Sequence, residues 1–271
     1  MRRVERVWRA ALAAVAGSLT SLALQAAPPG GGACTGAPTD KPLYMTLDTG
    51  HMGVAPLIAE VLNRHRIKAT FFLANERTRT GGASLDDEWA PWWKARAAEG
   101  HVFGSHTFDH AIWLADTPTG FKFRPTAGPE AGRILDWTPA EYCASLKQSA
   151  QRFHDMTGAT MAPVFRAAGG KTSPKLLAAA KACGWSHVPW ADGGFLGDEL
   201  PSEKFSNKVL LRRALREIRS GDILLAHLGI WSRKEVWAPA VFEPLIVGLK
   251  ERGFCFATLR EHPDYKGVIP R

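Results

Sequence analysis

Residues able to do chemistry stand at regular stations along the chain. Asp48 ends one apolar run and His227 ends another, within Asp222-Ile-Leu-Leu-Ala-His227. His106 and His110 follow a third run, Arg166 ends a fourth and Asp192 follows a fifth. A single His or Asp after a strand is most often a solvated loop residue or a cap. A series of them at successive strand ends is hard to obtain by chance. His106-Thr107-Phe108-Asp109-His110 sets two imidazoles four residues apart, which on a helical turn puts both on one side. Neutral imidazole binds borderline metals such as zinc, and such a site needs a third protein ligand. The plain alternative is a pair of surface or core histidines. Asp48 is a candidate general base and His227 a candidate general acid near neutral pH. For His227 the structural alternative is a core residue with one satisfied nitrogen. Arg166 suits a bidentate hold on a carboxylate. Base, acid, metal pair and arginine together describe metal-assisted hydrolysis of an amide or ester.

These residues meet only if the elements bring their strand ends to one face. Residues 43–47, 69–74, 101–105, 163–166, 185–190, 223–227 and 255–259 read as strands. Residues 54–65, 89–98, 139–156, 173–184, 208–218 and 236–252 have helical patterns. Leu57, Ile58, Val61 and Leu62 share one face of the first helix, and Thr138 with Glu141 forms a capping box for the third. Residues 111–136, rich in Gly, Pro and Thr, are expected to be a functional loop or lid, because an ordinary connection is shorter. Strands alternating with helices predict parallel βαβ units in an α/β chain. About seven such strands predict a distorted or incomplete (β/α) barrel, with a doubly wound open sheet as runner-up. In both, function gathers where strands end.

The 271 residues are 45% apolar and 22% charged, which excludes a disordered, collagen-like or coiled-coil chain. Arg2, Arg3, Arg6 and Arg9 precede an uncharged apolar stretch and then the small residues Ala26 and Ala27. That pattern predicts a secretory signal peptide over residues 1–26. The apolar stretch is shorter than the roughly 20 residues of a spanning helix. Its loss lowers the net charge from +8 to +5 and leaves no Lys/Arg run, so no nucleic-acid partner and no stable membrane insertion are expected. An exported location, periplasmic or secreted, follows. Cys34, Cys143, Cys183 and Cys255 fit no zinc spacing. In an exported protein they permit one or two disulfides, in a pairing sequence cannot choose. Buried free thiols at Cys183 and Cys255 are the alternative.

From residue 43 to 259 the chain resembles the polysaccharide deacetylases of the NodB-homology group, carbohydrate esterase family 4. Thr46-Leu47-Asp48-Thr49-Gly50-His51 resembles the family's Thr-Phe-Asp-Asp-Gly-Pro, with Asp48 at the base. His106 to His110 matches its His-Ser/Thr-x-x-His, which implies that both are metal ligands. Arg166 and Gly170 match Arg-Pro-Pro-x-Gly in part, and the resemblance implies that Arg166 orients the base. Leu225-Ala226-His227 matches Leu-x-His, implying an acetyl pocket at Leu225 and a general acid at His227. The family's Asp-Trp segment is blurred, with Trp190, Asp192 or Asp198 standing in for it. Thr49 replaces the second Asp, the family's third metal ligand, by a poorer neutral ligand. Three outcomes stay open: weak binding through two His, Asp48 and water; a third ligand from His51; or an empty, inactive site.

The resemblance implies a divalent cofactor, zinc first, an oxyanion held by the metal and a backbone N–H near Thr49, and a polysaccharide partner. Domain boundaries follow as signal peptide 1–26, linker 27–42, NodB-homology domain 43–262 and tail 263–271. Trp89, Trp92 and Trp93 fall at helical spacing and predict core packing. Trp113, Trp190 and Trp231 are candidates for sugar contacts, and Phe121 and Phe123 for covering a substrate. The expected function is removal of N-acetyl groups from GlcNAc- or MurNAc-containing cell-wall or chitin-like polymers. The alternatives are a non-catalytic glycan-binding relative and a hydrolase of a non-sugar amide.

Overall fold

Apolar runs bounded by glycine and proline become the strands that carry the polar stations. A computed structural model of the chain describes residues 32–270, so the expected signal peptide, 1–26, lies outside the described residues. The first half of the chain contains β1 (Pro42–Asp48), α1 (Ala55–Arg64), β2 (Thr70–Leu73), α2 (Ala90–Ala98), β3 (Val102–Ser105), β4 (Ala111–Asp116), β5 (Phe121–Pro125) and β6 (Leu135–Trp137). The second half contains α3 (Pro139–Thr157), β7 (Val164–Phe165), α4 (Pro174–Ala182), β8 (Ser186–His187), α5 (Asn207–Glu217), β9 (Ile223–His227), α6 (Trp237–Ala240), α7 (Phe242–Glu251) and β10 (Cys255–Ala257).

Seven strands form one parallel sheet curled into a half-barrel, in the order β10-β1-β2-β3-β7-β8 with β9 also on β1. This is the incomplete barrel that the alternation of elements predicts. β1 is the hub. β9 runs along one of its edges, in register Tyr44↔Ile223 to Asp48↔His227. Its other edge is shared: β10 takes Pro42–Tyr44 and β2 takes Thr46–Asp48. Ser105, the last residue of β3, pairs with Phe165 of β7. Asp48 and His227 therefore stand side by side, while His106 and Arg166 each follow a paired residue. All four reach the carboxyl-terminal edge of the sheet, where active sites of such folds gather.

The helices cover the sheet with the faces their periodicity requires. Ile58, Val61 and Leu62 of α1 are buried, as are Leu146 and Phe153 of α3. The capping box forms as expected, with Thr138 accepting from the Glu141 N–H and Glu141 accepting from the Thr138 N–H. Trp93 is fully buried and donates to the Ser84 carbonyl at 2.7 Å, while Trp89 and Trp92 pack beside it, so this trio serves the core. The helix expected over 236–252 breaks at Val241 into α6 and α7, where Pro239 cannot donate to a helical ladder.

Residues 111–136 correct the expectation of a loop or lid. They form an antiparallel sheet, β4-β5-β6. In β5, Phe121 and Phe123 alternate with exposed Lys122 and Arg124. Both rings point inward, and Phe123 stacks on Tyr142 of α3 at 5.2 Å between centroids. They are core residues and do not cover a substrate.

All four cysteines are paired, Cys34 with Cys255 and Cys143 with Cys183, so the free-thiol alternative falls. The first bridge ties the segment read as a linker to β10, beside the bonds Cys34 N–H to Phe256 O and Phe256 N–H to Gly32 O. The segment read as a tail packs under the sheet through buried Tyr265 and Ile269, and the Tyr265 hydroxyl donates to the His187 carbonyl.

Candidate active site

Asp48 is almost fully buried at the end of β1 and is gripped from two sides. Arg166 Nη1 donates to its Oδ1 at 2.7 Å, and His106 Nε2 lies 3.4 Å from its Oδ2. The Arg166 guanidinium is itself fixed over the Phe72 ring at 4.4 Å and donates from Nε to the Val188 carbonyl. Burial pushes the Asp48 carboxyl up, but Arg166, with His106 and His227, outweighs it and holds Asp48 below its usual range. Asp48 is thus a carboxylate at neutral pH, as a base must be.

The two histidines after β3 are brought together by a turn, not by the helical geometry their spacing suggests. Thr107 and His110 take the left-handed backbone region, with φ of 59° and 48°. Thr107 stabilises that turn by donating to the His106 carbonyl and accepting from the Ala111 N–H. The rings meet edge to face, 4.8 Å apart. His106 Nδ1 lies 2.8 Å from the Arg166 carbonyl, which only an N–H can satisfy, so Nε2 keeps its lone pair. His110 Nδ1 pairs with the Thr126 hydroxyl at 2.6 Å, and among the described residues its Nε2 has no hydrogen-bond partner. Burial drives His106 down to about 4, against the pull of Asp48. His106 is therefore a neutral imidazole, and both rings have their Nδ1 atoms tied down, an arrangement that suits metal ligands. The His106 lone pair faces the Asp48 carboxylate, an opposition that a cation between them relieves. These residues fit the divalent ion that the resemblance implies.

Beside Asp48, His227 ends β9. Its Nδ1 lies 3.1 Å from Asp198 Oδ1, and its backbone N–H donates to Asp198 Oδ2 at 2.8 Å. Burial opposes charge on this ring, but Asp198, with Asp48 and Glu199 adding, pushes it up to about 10. His227 is an imidazolium at neutral pH, poised to give a proton.

Asp48, His106, His110, His227, Leu225 and Trp190 line one cavity of about 130 Å³. Gly170, at φ 67°, lets Trp190 close in: a Cβ there would meet the ring at 2.4 Å. Trp231 is 59% exposed and lines a neighbouring cleft, edge to face with His51. Trp113 lies half-buried, donating to Asp116.

Four expectations need correction. Asp192 sits exposed in a short turn, Asp192–Gly194, outside the cavity, and Asp198 takes the role of carboxylate partner. His51 does not join the metal pair: its Nδ1 accepts from the Gly53 N–H at 2.9 Å and its ring abuts Gly229. Thr49 does not face the cavity as a ligand; its hydroxyl accepts from the Ala74 N–H and donates to Glu76. The Thr49 N–H is spent on the Phe72 carbonyl within the sheet, so it offers no oxyanion contact.

Glu76 and Glu199, which also line the cavity, were not evident from sequence, nor was Thr126. The one signal for Glu76 was its place just past the end of β2. Cys34, Asp40 and Cys255 also cluster, but both thiols are consumed by the disulfide, so that trio offers no metal site.

Residues 35–188, more than half of the chain, match the sequence profile of the family described as polysaccharide deacetylase. The peptidoglycan-N-acetylmuramic acid deacetylase PdaA of Bacillus subtilis is 23% identical over 221 residues, covering 81% of this chain and 70% of that protein. The chitooligosaccharide deacetylase of Azorhizobium caulinodans is 25% identical, over 80% of this chain and 92% of that protein. In fold, the chain is similar to a family 4 acetyl xylan esterase from Clostridium thermocellum solved with a cobalt ion, with a TM-score of 0.63 at 22% identity, covering 84% of this chain and 93% of that one. It is also similar to a family 4 pseudoenzyme from Bacillus anthracis, with a TM-score of 0.59 at 19% identity, covering 83% of this chain and 66% of that one. With its profile match extending from the first strand through both histidines to Arg166, this chain belongs to the polysaccharide deacetylase family.

Proposed function

We propose that the chain is an exported, metal-dependent N-deacetylase of GlcNAc- or MurNAc-containing polysaccharide. The observation that carries this reading is one cavity that holds a carboxylate base, Asp48, and an acid, His227, side by side on paired strand ends. A divalent ion bound through His106 and His110 would polarise the acyl carbonyl and acidify the attacking water. Asp48, held in place by Arg166, takes the proton of that water as its oxygen bonds to the acyl carbon. His227, held by Asp198, gives its proton to the nitrogen as the C–N bond breaks. Acetate and a free amine leave, and the two side chains end with exchanged protonation states. Leu225 and Trp190 offer apolar lining for the acyl methyl, and exposed Trp231 offers a stacking face for a neighbouring sugar.

Two disulfides and the positive, then apolar, N-terminus support export. No described helix is long and apolar enough to cross a membrane. The test is acetate release by the protein lacking residues 1–26 from peptidoglycan and chitin oligomers after zinc loading. Release that a chelator abolishes is the expected result. Folded, zinc-loaded protein that retains glycan but releases no acetate overturns the catalytic reading. Turnover of small non-sugar amides alone overturns the substrate class.

A further inference from the structure

We propose that Glu76 supplies the carboxylate ligand that Thr49 cannot, completing a His106–His110–Glu76 metal set. The inference rests on the metal-dependent reading above and deepens it. Family resemblance places a metal-binding carboxylate at position 49, on the end of β1. Here that position carries a hydroxyl, and the hydroxyl donates to Glu76 Oε2 at 2.6 Å. A carboxylate from the segment after β2 is thus bound to the very side chain that replaced one. Glu76 lines the same cavity as Asp48, His106 and His110. Among the described residues its other oxygen, Oε1, has no hydrogen-bond partner, and no Lys or Arg pairs with it.

The backbone around Glu76 is built to hold it there. Its N–H donates to Ser84 Oγ at 3.1 Å, and its carbonyl accepts from the Ser84 N–H at 2.8 Å. Ser84 Oγ donates in turn to the Ala74 carbonyl, and the Ser84 carbonyl is capped by the fully buried Trp93. Asn75, next along, donates its N–H to the Phe108 carbonyl within the His106–His110 turn. The segment bearing the carboxylate is therefore tied both to the Thr49 strand and to the turn of the two histidines. A half-buried carboxylate with one free oxygen, lining the same cavity as two imidazoles, offers the donor set of a divalent zinc-type centre. The exchange is a relocation: the longer Glu side chain reaches from the neighbouring strand end, and Thr49 becomes its outer partner.

The experiment is Co²⁺ and Zn²⁺ binding by calorimetry, with the visible spectrum of the Co²⁺ form, on the protein lacking residues 1–26 and its variants. E76Q is expected to lose more than about 100-fold in affinity and to alter the Co²⁺ spectrum, a larger loss than removal of an outer partner. T49V removes only the orienting hydroxyl and is expected to lose about 10-fold. It also reads the same arrangement if E76Q does not fold. Adding T49D to E76Q returns a carboxylate to the site and is expected to recover most of the affinity. Unchanged binding and spectrum in E76Q, with H106A abolishing binding, overturn the Glu76 assignment alone. Absence of binding in the unmutated protein, or binding indifferent to both E76Q and H106A, overturns the assignment together with the metal-dependent reading.

Discussion

His106 and His227 flank the same carboxylate, Asp48, yet they lie at opposite ends of the imidazole range. His106 is driven down to about 4 and His227 up to about 10. His106 is buried and His227 largely so, and burial lowers both, so burial alone does not separate them. Their Nδ1 partners do: a backbone carbonyl for His106, the Asp198 carboxylate for His227. A carbonyl fixes the tautomer without adding charge, and that suits a ligand. A carboxylate stabilises the imidazolium, and that suits an acid. On the proposed reading, the site draws two functions from one side-chain type through what stands behind each ring. The effect on stability is also opposite in sign. Taking 6.5 for the unfolded ring, the His106 environment costs stability as pH falls below 6.5 toward 4. The His227–Asp198 pair stabilises fully below 6.5 and loses that contribution as pH rises from 6.5 toward 10.

The contrast can be broken by removing either ring's role. H227A deletes the acid and is expected to lower kcat about 1000-fold while leaving zinc affinity within about twofold, read by acetate release and calorimetry. A comparable loss of metal affinity would place His227 on the ligand side and erase the division. D198N keeps the ring and removes the charge behind it. It is expected to lower kcat roughly 100-fold. The acid form exists only below its pKa, so activity falls as pH rises through that value. The alkaline limb of kcat, expected near pH 10 in the parent, should move down toward 6.5 in D198N. A limb that stays in place would assign the high-pH loss to another group. The mildest change sharpens the other side. T126V removes the partner of His110 Nδ1 and is expected to cost about 10-fold in metal affinity with the alkaline limb unmoved.

The barrel and most of the stations were legible because each strand is a short apolar run ending in a polar residue. Asp48, His106, Arg166 and His227 lie where such a run stops, and parallel register does the rest. Residues 111–136 hid their sheet behind Gly, Pro and Thr, although Phe121-Lys122-Phe123-Arg124 carries the period-2 alternation of a half-buried strand. Asp198 could not be told from Asp192 because the segment between β8 and α5 lacks regular structure apart from one short turn, and only the fold decides which carboxylate reaches His227. Glu76 was invisible for another reason. Replacement of a ligand by a neighbouring strand's side chain leaves no trace in spacing along one motif. His51, adjacent in sequence to Thr49, was the nearer candidate on paper, but Gly53 and Gly229 hold its ring elsewhere.

The bond between Cys34 and Cys255 spans 221 positions, and every residue assigned to the cavity lies between its ends. The catalytic machinery is thereby enclosed in a covalent ring. A protease that nicks one exposed loop inside that ring opens the chain without dividing it, since the two pieces stay joined through sulfur. A single cut thus leaves every residue of the cavity on one molecule until the bridge is reduced.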